Sequence, residues 1–184
     1  MNNKITIIAL FGKSGAGKDT IQNKIVSLYP NIFHNIISCT TRPKRDYEEE
    51  GKDYYFLTKE KFTQTLLNGA MLEATNFREW FYGTPIWALD ENKVNIGVFN
   101  IAGIEALMAD SRINLLPVYI KASDKTRLIR NLNREKDPNC QEICRRFQTD
   151  EKDFSDIPFR YLEFDNNGPD LKESDLRAFV DNLL

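Results

Sequence analysis

Three glycines and a lysine near the start of the chain are spaced to hold a polyphosphate. Residues 11–20 read Phe-Gly-Lys-Ser-Gly-Ala-Gly-Lys-Asp-Thr, and Gly12, Gly17 and Lys18 fit the pattern of Gly, four residues, Gly-Lys. Binding a polyphosphate needs backbone N–H groups that converge on anionic oxygens. Glycines allow the close approach, a helix N-terminus supplies partial positive charge, and Lys18 supplies a full one. Ser14, Gly15, Ala16, Asp19 and Thr20 complete the candidate nucleotide-binding loop. Asp19 departs from the pattern, which asks for Ser or Thr after the lysine.

The elements needed to position such a loop are present. Ile5–Phe11 is a β-like apolar run before it, and Asp19–Leu28 carries Ile21, Ile25 and Leu28 at helical spacing after it. Ile32–Ser38 reads as a second strand and 43–51 as an exposed charged loop. Asp53–Leu57 reads as a strand, and Thr58–Asn68 as a helix with Thr58 as N-cap and Gly69 at its end. Met71–Phe77 and Trp80–Thr84 read as two strands with a tight connection. Val94–Ile101 and Leu115–Ile120 have the near-continuous apolar character of buried parallel strands, with a helix at Gly103–Ala109 between them. Ser123 caps a helix carrying Leu128, Ile129 and Leu132. After an interruption at Lys136–Asn139, Gln141–Phe154 resumes with Ile143, Phe147 and Phe154 inward. Arg160–Phe164 is a last strand and Lys172–Leu184 a last amphipathic helix. The alternation predicts an α/β fold with a parallel sheet covered on both faces, interrupted by an insertion from Arg42 to Pro85.

Composition narrows the class. The chain has 184 residues and a formal net charge of −2, which fits one domain and argues against nonspecific contact with nucleic acid or an acidic membrane. Basic residues gather instead at Arg42–Arg45 and between Lys125 and Arg146, a distribution suited to small anionic ligands. Cys39, Cys140 and Cys144 form neither a disulfide framework nor a zinc-ligand pattern, so a reducing, cytoplasmic setting is expected. The N-terminal residues do not resemble a signal peptide, and no apolar run has the length to span a bilayer. The single histidine, His34, lies in a β-like run without an evident partner and reads as structural.

The insertion makes the reading specific. Ser38-Cys-Thr-Thr-Arg42-Pro-Lys-Arg45, then Glu48, Gly51-Lys-Asp-Tyr54-Tyr-Phe56, Leu72-Glu73 and Tyr82-Gly-Thr84 resemble, in order and spacing, the acceptor-binding region of guanylate kinases. The resemblance runs over about residues 4–165 and is sharpest from Gly12 to Thr84. It implies a P-loop NTPase-type three-layer sandwich, with a small mixed α/β insertion and a helical lid. Within a single domain, 1–41, 86–123 and 155–184 would form the core, 42–85 the monophosphate-binding region, and 124–154 the lid and its flanking helices.

The implied reaction is transfer of the ATP γ-phosphoryl group to GMP or dGMP, with Mg²⁺ as cofactor. Arg42 and Arg45 would grip the acceptor phosphate, helped by the Tyr54 and Tyr82 hydroxyls. Glu73 would accept from guanine N1–H and the exocyclic amine, with Ser38 and Thr84 on the remaining edge of the base. A carboxylate selects guanine there, because adenine offers an unprotonated N1. Lys18, Arg134 and Arg146 would offset charge on the transferring group, although Arg130 and Arg145 stand close by. Guanylate kinases usually carry acidic residues after the strand where this chain has Asn100 and Ala102. Asp19 would then hold Mg²⁺ through a water, or else serve only as a helix cap. The Gly-Lys-Asp-Thr ending also resembles a variant found in deoxynucleoside monophosphate kinases of phage nucleotide metabolism, so another base preference is the alternative. A non-catalytic protein-binding module of the same family is the remaining one. Small-molecule nucleotides are the expected partners, with the chain a monomer or homodimer.

Overall fold

The computed structural model describes residues 4–46, 48–77, 79–134, 136–168 and 170–183, with the backbone alone at 77. Nine strands and six helices occur among them, in the order β1 (Ile5–Phe11), α1 (Lys18–Leu28), β2 (Phe33–Asn35), β3 (Cys39–Thr40), β4 (Tyr55–Phe56), α2 (Lys59–Leu67), β5 (Met71–Phe77), β6 (Trp80–Pro85), β7 (Val94–Val98), α3 (Ile101–Ala109), β8 (Ile113–Lys121), α4 (Asp124–Asn133), α5 (Cys140–Asp153), β9 (Leu162–Asp165) and α6 (Glu173–Asp181). A main sheet of five parallel strands runs β2-β7-β1-β8-β9.

Burial on both faces explains why the central strand β1 is apolar from Ile7 to Phe11. Along β1, Ile8 and Leu10 pack with Ile21 and Ile25 of α1 and Leu176 and Val180 of α6. The alternate residues Ile7, Ala9 and Phe11 pack on the other side with Ile104 and Leu107 of α3. The period of two along a strand divides one run between two cores. Five buried residues from β1 alone, the four large ones at about 2 kcal/mol each, make this strand the centre of the fold.

The insertion, together with Cys39–Thr40 just before its expected start, forms a four-stranded sheet, β4-β3-β6-β5, with β3 parallel to β4 and the other pairs antiparallel. Its small core is Cys39, Phe62 and Met71. Thr58 caps α2 by accepting the Lys61 N–H, as its position suggests, and Gly69 follows with φ +68°.

Several expected boundaries are corrected. The run 32–38 forms a strand only at Phe33–Asn35, and 53–57 only at Tyr55–Phe56. Cys39–Thr40, outside every expected strand, is a buried strand. β7 stops at Val98, and Asn100 caps α3 by accepting the Gly103 N–H at 2.7 Å. The segment 43–51 is largely exposed, but Glu48 is only 5% exposed. In α4 the apolar residues Leu128, Ile129 and Leu132 are 41%, 47% and 36% exposed, while Arg127 and Asn131 are buried. The polar side of this helix faces inward because it meets polar partners there, the Ser14 carbonyl and the Asp150 carboxylate among them.

Candidate active site

The phosphate loop is held from outside by cations on its carbonyl oxygens. Lys18 Nζ donates to the Gly12 and Lys13 carbonyls at 2.8 and 3.2 Å. Arg127 Nε donates to the Ser14 carbonyl at 2.9 Å, and Arg130 Nη1 to the Ala16 carbonyl at 3.1 Å. Asn166 Nδ2 adds a bond to the Ala16 carbonyl at 2.8 Å. Peptide groups are planar and trans, so holding the Ser14 and Ala16 carbonyls turns the N–H groups of Gly15 and Gly17 to the opposite side. The glycines make this possible. Gly15 has φ +79°, and a Cβ there would lie 2.7 Å from the Arg127 carbonyl; Gly17, at φ +92°, would meet Asn166 Nδ2 at 2.6 Å. Burial lowers the Lys18 pKa below the usual lysine range, against the raising pull of Asp19 and Asp150.

A cavity of ≈ 390 Å³ joins this loop to the insertion, lined by Gly12, Ser14 and Lys18 on one side and by Ser38, Arg42, Arg45, Tyr54, Glu73 and Tyr82 on another. Asn100 and the α5 residues Arg145, Arg146 and Asp150 also line it. Sheet register assembles the insertion's wall. Glu73 pairs with Thr84 across β5 and β6, and β3 runs beside β6 on its other side. Thr84 Oγ1 donates to Glu73 Oε1 at 2.8 Å and lies 3.2 Å from Ser38 Oγ. Burial pushes the Glu73 carboxyl up to about 7, against the pull of the Thr84 bonds.

The basic end of the cavity is braced by Glu48. Arg42 Nη1 and Nη2 donate to Glu48 Oε2 and Oε1 at 2.9 and 2.7 Å, a bidentate fork, and the Arg45 N–H donates to Oε2 at 2.8 Å. Burial opposes ionisation of Glu48, but these donors prevail and hold its carboxyl below the usual range. The Arg42 guanidinium also lies 5.6 Å from the centre of the Tyr54 ring and 5.7 Å from that of Phe56. Tyr54 and Tyr82 meet edge to face with centroids 6.1 Å apart. Burial raises the Tyr54 hydroxyl pKa, so it remains a donor.

This geometry has counterparts. A family model described as guanylate kinase matches residues 4–182. The chain belongs to the guanylate kinase family. It is 35% identical to a guanylate kinase of Prochlorococcus marinus over 144 residues, covering 74% of this chain and 77% of that protein. The guanylate kinase of Mycoplasma genitalium is 29% identical over 190 residues, 98% of this chain and 79% of that protein. The alignment with that of Latilactobacillus sakei is 41% identical over 86 residues but spans only 47% of this chain and 42% of that protein. The crystal structure of a guanylate kinase from Anaplasma phagocytophilum has the same fold, with TM-score 0.70 at 23% identity over 98% of this chain and 85% of that one.

Of the residues that the guanylate kinase resemblance singled out, those of the insertion gather on one wall or immediately behind it. Lys18 and the loop lie opposite. Arg146 lines the cavity and bonds to Glu142 through Nε at 2.9 Å, whereas Arg134 is exposed at the end of α4 and is not among the lining residues. Arg145 lines it too, on the same Glu142. Arg130 holds loop carbonyls instead. Asp19 is exposed in the first turn of α1, whose N-cap is Gly17, so capping is not its role; its charge bears on both Lys18 and Tyr54. Thr20 is exposed beside it. His34 Nε2 lies 3.0 Å from the Ala88 carbonyl, consistent with a structural part.

Sequence reading passed over Arg127, Asp150 and the bracing role of Glu48. The polar residues Asp124, Arg127 and Asn131 do recur on one face of α4, a signal that the apolar Leu128, Ile129 and Leu132 obscured.

Proposed function

We propose that this chain transfers the γ-phosphoryl group of ATP to GMP or dGMP, with the site residues acting as the family pattern implies. One observation carries the reading: a single cavity unites Lys18 of the phosphate loop with Arg42, Arg45 and Glu73 of the insertion. Donor phosphates and a nucleoside monophosphate can therefore face each other across one space.

In this reading Gly12, Ser14, Gly15, Ala16, Gly17, Lys18, Asp19 and Thr20 form the donor side. Arg42 and Arg45 bind the acceptor phosphate, and Tyr54 and Tyr82 donate to it without adding charge. Ionised Glu73 reads guanine N1–H and its amine, with Thr84 and Ser38 beside it. The attacking phosphate oxygen has a second pKa of about 6 and needs no general base at neutral pH. Catalysis then consists of alignment and charge compensation, from Lys18, Arg146 and Arg134. The Arg134 charge already acts on Lys18, and lid closure would bring its exposed side chain closer to the phosphates.

Members of the family generally need a divalent metal, and the residues here suit Mg²⁺. The exposed carboxylate of Asp19 is a hard oxygen donor at the head of α1, and Mg²⁺ needs only one or two protein oxygens when it keeps its waters and phosphate ligands. Bound there, the ion would offset charge on the triphosphate. The three free thiols fit a cytoplasmic setting.

The test is ADP formation in a coupled assay across ribo- and deoxynucleoside monophosphates. Preference for GMP or dGMP is expected; equal rates with AMP and CMP would overturn the guanine assignment.

A further inference from the structure

Arg127 has no exposed surface, yet its charged end is held by polar groups. Its Nε donates to the Ser14 carbonyl at 2.9 Å, Nη1 to Asp124 Oδ1 at 2.7 Å, and Nη2 to Asp150 Oδ2. The Phe147 ring lies 4.3 Å from its guanidinium carbon. The same Asp150 oxygen accepts the Ser14 N–H at 2.8 Å. The two peptide groups that flank Ser14 are thus both held, one by its N–H and the other by its C=O. Asn131 closes the arrangement, accepting from Ser14 Oγ at 3.4 Å and donating to the Arg127 carbonyl at 2.9 Å.

We propose that Arg127 and Asp150 are positioning residues for the donor triphosphate. As an ion pair they clamp the Ser14 peptides and so aim the Gly15 N–H at the phosphates. The proposal rests on the phosphoryl-transfer reading and adds to it residues that act through the loop.

Two features separate this pair from an ordinary buried salt bridge. Buried ion pairs can often be exchanged for apolar residues without loss of stability. This one ends on backbone atoms of a ligand loop more than a hundred residues away in sequence. Asp150 also stands one helical turn beyond Arg146, so the pair ties the arginine-bearing α5 to the loop. A carboxylate beside a polyanion site is unfavourable on its own. Arg127 compensates it, and Lys18 is near enough to contribute.

The test measures Mg·ATP affinity by calorimetry and steady-state kinetics toward ATP and GMP separately. Asp150→Ala should weaken ATP binding by about tenfold or more, the scale of one lost charged hydrogen bond, with the KM for GMP within about twofold. Asp150→Asn retains an acceptor for the Ser14 N–H and should recover part of the loss. The double variant Arg127→Met, Asp150→Leu preserves packing volume and should keep its melting temperature while losing ATP affinity. Wild-type ATP affinity in the double variant would overturn the clamp. So would parallel losses toward ATP and GMP, or tighter ATP binding in Asp150→Ala, which would make Asp150 a competing anion. Because ATP affinity is read directly, failure of the wild type to phosphorylate GMP would refute the function without deciding the clamp.

Discussion

Exchanging Glu73 for glutamine separates charge from shape on the wall that is to read the base. In the folded protein burial raises its carboxyl from an ordinary value of 4.5 to about 7. A shift of that size corresponds to about 3 kcal/mol. The sign follows from where the proton resides. Below the unfolded pKa both states are protonated. Between the two values the unfolded chain ionises while the folded one keeps its proton, so stability falls as pH rises through 7. Glutamine escapes this loss and should make the protein more stable than wild type at pH 8, by up to about 3 kcal/mol. It should also lose the anion that guanine needs, which at about 1.5–3 kcal/mol lowers kcat/KM for GMP by roughly 10- to 150-fold. The assays are thermal melts at low and high pH and kcat/KM for GMP across neutrality. In wild type kcat/KM should climb with an apparent pKa near 7, above the limb from the acceptor phosphate at about 6. The glutamine variant should keep only the lower limb. If it retains the upper limb, or if its stability follows pH as wild type does, the charge on Glu73 does not read the base.

The acceptor end and the metal give further tests. Arg42→Ala should raise the KM for GMP about tenfold or more, and Arg42→Lys should recover only part, since lysine lacks the fork; unchanged acceptor kinetics would remove Arg42 from the site. Glu48→Gln should give a smaller rise in the same KM with ATP kinetics intact, because Arg42 stays charged but is less firmly held; an effect on ATP alone would contradict the bracing role. Asp19→Asn should raise the Mg²⁺ concentration for half-maximal rate with little change in melting temperature, as Gly17 and not Asp19 caps α1. A Mg²⁺ dependence that does not move would leave Asp19 only its favourable interaction with the helix dipole.

The centre of the main sheet was legible because β1 and β7 are buried on both faces, so apolar runs such as Ile5–Phe11 mark them. Short strands were not. Tyr55–Phe56 and Cys39–Thr40 owe their conformation to partners across the insertion sheet rather than to any local pattern. The phosphate loop could be picked out from residue types and spacing, and the acceptor residues from the order that resembles the family's; the structure brings both to one cavity. The supports behind them could not be picked out. Arg127 lies buried where a periodic reading places a solvated face, since its partners are backbone carbonyls and carboxylates that leave no mark on hydrophobic spacing. Asn100 was read at a strand end, but its amide oxygen begins a helix, which single-strand propensity does not reveal.

The order in which the loop acquires its supports bears on synthesis of the chain. Gly12–Lys18 leaves the ribosome well before the residues that hold it, since its Ser14 and Ala16 carbonyls are held from 113 and 150 positions later in sequence. β1 itself lies between β7 and β8 and has no neighbour in the sheet until the chain has passed its midpoint. A growing chain therefore carries a recognisable nucleotide motif that cannot yet take its finished form. Contacts of such long range close late, after much of the intervening chain has folded. Asn166 arrives only after β9, so a chain shortened before that residue lacks both its bond to the Ala16 carbonyl and the α6 side chains that cover one face of the main sheet.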